Sequence, residues 1–257
     1  MKLKIILSLI FGSESRIIKY LSLIKHCYLK SKLILPFVKS NRYKFISKIF
    51  KSHNYILFQP NIDFEKKYFK NKYKFNYEDW FSENINSWKK YLVLQKKIKY
   101  LEIGTFEGRS AVFVGELKNV KEITCVDTFK GSDEHCNIDF NLVYQNCLYN
   151  LSKLKLPYKL IKDTSDNFFN INKQKFNVIY IDGSHFYEDV KKDFLNAINC
   201  LDDGGLLICD DFLWFDYKEI ENNPLKAILD CYELYKNNLE ILFIDYQIIF
   251  KKIIKEL

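Results

Sequence analysis

Between residues 99 and 211 one unit recurs: a short apolar run ending in polar or acidic residues, followed by a stretch of helical periodicity. The runs are KYLEI (99–103), EITCVD (122–127), YKLIK (158–162), FNVIYID (176–182) and LLICDD (206–211). Helical patterns fill 108–118, 140–153 and 187–201, where Val190, Phe194, Ile198 and Leu201 form one stripe. Strands that are apolar along nearly their whole length, alternating with helices, bury both faces. They predict a doubly wound, mostly parallel α/β sheet covered on each side. The spacing also predicts a helix over 78–95, carrying Trp80 or Phe81, Ile85, Trp88 and Leu92 on one face. DDGG (202–205) reads as a turn into the fifth run. A helix over 224–236 precedes ILFIDY (241–246) and QIIFKK (247–252), a tightly connected pair that ends the sheet with an antiparallel strand.

The 257 residues and 48% hydrophobic content suffice for one large α/β domain with an appendage. The net charge of +8 is unevenly placed. Residues 1–51 hold twelve Lys and Arg against one acid, Glu14, so the rest of the chain is net negative. The basic character therefore belongs to an N-terminal extension, residues 1–76, and argues against nucleic acid as the general partner. Within it Ile17, Leu21, Ile24 and Tyr28 recur at helical spacing among lysines, the pattern of a helix docked on the main domain or lying on an anionic membrane surface. The apolar run 5–11 is short for a secretion signal and contains Ser8, and no stretch reaches the roughly 18–20 apolar residues that span a bilayer. Seven cysteines without a CxxC pair read as buried, reduced thiols of a cytoplasmic protein, with peripheral membrane contact through the basic segment.

In an open parallel sheet, ligands bind beyond the carboxyl ends of the strands. Those ends carry Glu102 and Gly104, Asp127 and Thr128, Thr164 and Ser165, Asp182 and His185, and Asp210 and Asp211. In a chain with only eight glycines, Gly104 and Gly108 fall four residues apart in LEIGTFEGRSA. This loop lacks the third glycine of a pyrophosphate-binding turn, and the acid Glu102 would repel a pyrophosphate. Asp127 ends the next strand, where a carboxylate accepts ribose hydroxyls. A ribose without a pyrophosphate points to S-adenosylmethionine.

The chain resembles class I S-adenosylmethionine-dependent methyltransferases of a bacterial-type branch. The likeness is carried by FSENINSWKKYL, YLEIGTFEGRSAVF, ITCVDTFKGSDEH, VIYIDGSHFYEDVKKD, GGLLICDDFLW and YQIIFKK, across 78–252. It implies a Rossmann-like methyltransferase domain over 77–257. It further implies that Gly104 and Gly108 let backbone approach the methionine portion of the cofactor, Glu102 holds its ammonium, Ser110 meets its carboxylate and Asp127 binds its ribose. Thr128, Thr164 and Ser165 complete the expected cofactor set, the last two beside the adenine. In catechol- and caffeoyl-type O-methyltransferases a divalent metal is held by acids at the positions of Asp182, Asp210 and Asp211. A metal here would be Mg²⁺ on those three carboxylates, with His185 in place of the usual lysine as the base.

The expected reaction is O-methylation of a small molecule or of a sugar or glycan hydroxyl. Asp182 and His185 are the catalytic pair, and the acceptor, a second copy of the chain and a membrane surface are the expected partners. Two alternatives remain open on the residues: a non-catalytic docking module that keeps the cofactor site, and a nicotinamide-dependent oxidoreductase, which would also use Asp127.

Overall fold

A computed structural model describes residues 72–132, 135, 137–212, 214, 222–244 and 246–254. The amphipathic helix and membrane contact expected of the N-terminal extension lie outside them. The described residues belong to a compact unit spanning 62–257. Among them no helix is long and apolar enough to cross a membrane.

Among the described residues, seven strands form one sheet. They are β1 (Ile98–Ile103), β2 (Val120–Asp127), β3 (Tyr158–Lys162), β4 (Phe176–Ile181), β5 (Leu201–Cys209), β6 (Leu239–Ile244) and β7 (Ile248–Lys252), in the order β3-β2-β1-β4-β5-β7-β6. The first five pair in parallel, and β7 runs antiparallel to both β5 and β6. The doubly wound, Rossmann-like sheet expected from the sequence is the observed one. Its antiparallel strand lies inside the sheet rather than at the edge, which β6 occupies. The strand order reverses between β1 and β4, and such a reversal opens a crevice above the carboxyl ends.

The helices are α1 (Ile85–Leu92), α2 (Arg109–Gly115), α3 (Phe140–Ser152), α4 (Ser165–Ile171), α5 (Tyr187–Cys200) and α6 (Pro224–Tyr235). The stripe read from the sequence is the buried face of α1: Ile85, Trp88 and Leu92 are at most 2% exposed. Each such side chain contributes on the order of 1.5–3 kcal/mol through burial. Trp88 meets Phe81 and Tyr180 edge-on at 4.9 and 4.8 Å, which fixes α1 against the centre of the sheet. Cys125, Cys147, Cys200, Cys209 and Cys231 are free and buried.

Two local expectations need correction. DDGG is part of β5, which starts at Leu201 opposite Phe176; the register slips before Leu206 meets Val178, so the extra residues are a bulge inside the strand. Helix α4 was not apparent in the sequence, because SDNFFNI (165–171) is too short to show periodicity. It forms because the Thr164 hydroxyl accepts from the Asn167 N–H at 3.2 Å and caps its first turn.

Candidate functional site

The first half of the site is the loop between β1 and α2. Gly104 has φ +82°, and a Cβ placed on it would lie 1.9 Å from the carbonyl oxygen of Asp182. What comes close to this glycine is therefore the chain itself, at the start of the loop after β4. Gly108 (φ +78°) is the N-cap of α2, in the left-handed region that a side chain resists. Between them Phe106 also has positive φ, +50°.

Asp127 holds this loop in place. Its Oδ2 accepts from the Thr105 and Phe106 N–H groups at 2.7 and 2.8 Å, and its Oδ1 accepts from the Phe129 N–H at 2.7 Å. Phe129 is likewise strained, at φ +51°. Bulky residues rarely adopt such angles, and each costs about 1–3 kcal/mol, which the carboxylate's hydrogen bonds offset. The position expected to meet a ribose thus has a structural task first.

Glu102 lies at the end of β1, 1% exposed. Its Oε1 accepts from the Ser110 hydroxyl at 2.5 Å, whereas its Oε2 is buried without a hydrogen-bond partner. Burial raises its pKa to about 8, against the lowering effect of the Ser110 and Tyr100 hydroxyls. The Tyr100 hydroxyl acts on it from nearby but outside hydrogen-bond geometry. Ser110, in the first turn of α2, is buried beside it.

The remaining expected cofactor residues are tied up locally. The Thr128 hydroxyl accepts from the Lys130 N–H at 3.3 Å, Thr164 caps α4, and Ser165 acts on the buried Asp193 of α5, holding down a carboxyl pKa that burial raises. His135, in the loop after β2, stacks on Phe106 with ring centres 6.0 Å apart, and Trp80 lies 5.7 Å from it. His26 and His53 lie outside the described residues.

The second half stands at the ends of β4 and β5. His185 Nε2 is 2.8 Å from Asp211 Oδ2, and the His185 ring lies 4.7 Å from that of Trp214. Asp182, His185 and Asp211 each offer one donor atom, all within 4.8 Å of one another. Asp211 is buried with φ +53°. Asp210 is not among the three. Its Oδ1 accepts from the Asp211 N–H at 2.8 Å, and its Oδ2 accepts from Gln247 Nε2 at 2.7 Å and from the Tyr180 hydroxyl. The same hydroxyl lies 2.9 Å from Asp182 Oδ2. Burial first, then the neighbouring Asp210 and Asp211 charges, pushes the Asp182 carboxyl well above its ordinary range. Asp210 is raised by burial and by Asp211.

Several contributors carry no motif. Glu107, 2% exposed, accepts from the Asn76 N–H at 2.8 Å, from the Tyr77 N–H at 3.1 Å and from Asn146 Nδ2 at 2.7 Å. Asn150 both accepts from the Lys74 N–H and donates to the Lys74 carbonyl, each at 2.7 Å. Together they strap residues 74–77 to the domain next to the glycine loop. An acid directly before Gly108 was the available signal for this strap. Gln247 had none.

Residues 101–212 match a family model described as a methyltransferase domain. A Sinorhizobium fredii protein described as uncharacterized is 30% identical over 120 residues, 44% of this chain and 13% of that protein. An uncharacterized protein of Acanthamoeba polyphaga mimivirus is 29% identical over 124 residues, 45% of this chain and 52% of that one. The chain thus spans only part of the length of either relative. Among solved structures, a Klebsiella pneumoniae protein assigned as an O-methyltransferase superposes with TM-score 0.55 at 13% identity, over 78% of this chain and 96% of that one. A Staphylococcus aureus protein assigned as a caffeoyl-CoA O-methyltransferase gives 0.51 at 16% identity, over 76% and 92%. A Clostridium thermocellum protein assigned as an rRNA methylase gives 0.50 at 14% identity, over 71% and 100%. At these identities the likeness is one of fold, and the assigned acceptors differ widely. Residues 101–212 thus carry a methyltransferase-domain match, and together with the strand order of the sheet this shows a Rossmann-like methyltransferase fold.

Proposed function

We propose that the chain transfers the methyl group of S-adenosylmethionine to a hydroxyl of a small molecule or of a sugar or glycan. The observation that carries the reading is the pairing of two halves on adjacent strand ends: a buried Glu102 with an orphaned oxygen at the glycine loop, and the Asp182–His185–Asp211 group across from it. Gly104 packs directly on Asp182, so the two halves share one wall.

The residues fit the cofactor. Glu102 Oε2 needs a donor, and an ammonium supplies one; ionising Glu102 in that pairing offsets the burial that keeps it protonated. The Ser110 hydroxyl donates to Glu102 Oε1 and so orients the acid that meets the ammonium. Asp127 keeps one acceptor direction of its four for a ribose hydroxyl. Bound S-adenosylmethionine supplies a methyl on a cationic sulfur, and the hydroxyl oxygen that takes it releases one proton. His185 receives that proton. Asp211, 2.8 Å from Nε2, orients the imidazole and stabilises its charged form.

The closeness of the three donor atoms favours a second reading, in which Mg²⁺ or another divalent ion sits between Asp182, His185 and Asp211. Such an ion would supply Lewis-acid chemistry, and His185 would then serve as one of the residues that hold it. Two oxygen donors and one imidazole fit such an ion.

The test is transfer of a radiolabelled methyl from S-adenosylmethionine into cell extract fractionated into small molecules, glycans, lipids, protein and nucleic acid. Label in small molecules or glycans, lost in His185→Ala, is the expected result. Label in protein or nucleic acid overturns the hydroxyl-acceptor reading. Full transfer in EDTA removes the ion and leaves His185 as the base.

A further inference from the structure

We propose that Asp210 is a positioning residue, that Gln247 makes it so, and that a divalent ion at this site takes Asp182, His185 and Asp211 as its protein ligands. The proposal rests on the divalent-ion reading above and changes its membership. By position in the chain, the adjacent acids Asp210 and Asp211 are equivalent candidates. Their surroundings separate them.

Gln247 precedes β7, is fully buried, and spans from α1 to the site. Its Oε1 accepts from the Trp88 indole N–H at 2.7 Å. An indole N–H can only donate, so it fixes which end of the amide is oxygen and turns the NH₂ towards Asp210. That NH₂ donates to Asp210 Oδ2 at 2.7 Å and lies 3.3 Å from the Tyr180 hydroxyl. Trp88 cannot yield, since Phe81 and Tyr180 pack against it edge-on. Three donors therefore converge on Asp210: the Gln247 amide, the Tyr180 hydroxyl and the Asp211 N–H. Turning this carboxylate towards an ion would strand them in a buried setting.

Asp210 instead acts through Tyr180, whose hydroxyl it shares with Asp182, and so sets where the Asp182 carboxylate sits. His185 and Asp211 supply the other two donor atoms of the group. An imidazole among the ligands moves preference from Mg²⁺, which favours all-oxygen sets, towards Mn²⁺, Co²⁺ or Zn²⁺.

The test titrates Mn²⁺ into the full chain and follows the free-ion signal by electron paramagnetic resonance. S-adenosylhomocysteine affinity, measured by calorimetry, serves as the control for fold and cofactor site. The informative variant is Asp210→Asn combined with Gln247→Glu. The new carboxylate accepts from both the Trp88 N–H and the Asn amide, so the buried bridge is kept with its polarity reversed while position 210 loses its charge. Expected are a drop in Mn²⁺ affinity of roughly tenfold or more in His185→Ala, a drop in Asp210→Asn alone, and recovery in the double variant to near the wild-type value. Cofactor affinity should be unchanged throughout. A double variant as weak as Asp210→Asn, or His185→Ala that binds Mn²⁺ normally, overturns the proposal while leaving the ion reading in place. Wild-type protein that binds S-adenosylhomocysteine but no Mn²⁺ overturns the ion reading and the proposal with it.

Discussion

Asp127 is the residue whose replacement best separates folding from ligand binding. Its carboxylate accepts three backbone N–H groups, two from the glycine loop and one from Phe129, at 2.7–2.8 Å. In Asp127→Asn the amide will keep its oxygen on the Oδ2 side, where two donors wait, and turn its NH₂ towards the Phe129 N–H. One charge-assisted bond is lost and two donors face each other, a cost of about 1.5–3 kcal/mol. In a domain of this size about 2 kcal/mol lowers Tm by roughly 4–8 °C. Asp127→Ala removes all three bonds and releases Phe106 and Phe129 from left-handed angles they hold at a cost, so a loss of about 3–6 kcal/mol is expected. Urea unfolding measures both. The carboxylate keeps one free acceptor direction, so it can take a single ribose hydroxyl without releasing the loop. Asp127→Asn should then weaken S-adenosylhomocysteine binding about tenfold, or 1.4 kcal/mol. Unfolding of Asp127→Ala within about 0.5 kcal/mol of wild type would refute the clamp. Unchanged affinity in Asp127→Asn would refute the ribose contact.

Gly104→Ala places a methyl 1.9 Å from the Asp182 carbonyl oxygen at φ +82°, and both atoms belong to backbone that cannot step aside. Destabilisation above about 3 kcal/mol is expected by thermal unfolding, and a variant as stable as wild type would contradict the packing. Glu102 titrates near 8 when folded against an ordinary 4.5, so between those values the folded state holds a proton that the unfolded state has released. Its contribution to apo-protein stability is complete below pH 4.5 and is lost as pH rises towards 8. Binding an ammonium ionises Glu102, so calorimetric affinity for S-adenosylhomocysteine should climb with pH up to about 8 and then level off. Glu102→Gln should flatten that rise, and an unflattened profile would assign it to another group. Glu107→Gln leaves an NH₂ facing the backbone donors of Asn76 and Tyr77. Faster hydrogen exchange at residues 74–78 is expected, with a stability loss of about 1–3 kcal/mol; unchanged exchange there would mean the strap is held by Asn150 alone.

The strands, their parallel pairing and the polar residues at their ends were legible because apolar runs and helical stripes are local patterns. Ile85, Trp88 and Leu92 illustrate this: spacing alone put them on the buried face they occupy. The hydrogen-bond partners were not legible, because distant chain supplies them. Gln247 lies 37 residues from Asp210 and 159 from Trp88, and no pattern in either neighbourhood announces the bridge. For the same reason the sequence could not distinguish Asp210 from Asp211, or show that Asp127 would be occupied by its own loop. The helix that Thr164 caps is too short for its periodicity to show in the sequence.

The acids gathered at the strand ends also bear on which cofactor the crevice can take. Glu102, Asp182 and Asp210 all have raised carboxyl pKa values, with burial the largest cause in each, and neighbouring acids raise them further. The apo fold therefore holds protons there that a cationic ligand would displace, and an anionic ligand would add to the repulsion. A nicotinamide dinucleotide brings a pyrophosphate; S-adenosylmethionine brings an ammonium and a cationic sulfur. Saturation at a hundred times Kd stabilises a protein by about 2.7 kcal/mol, or roughly 5–11 °C in a domain of this size. S-adenosylmethionine should produce a shift of that order, and NADH at equal concentration none. A shift with NADH alone would restore the oxidoreductase alternative and show that Glu102 answers to something other than an ammonium.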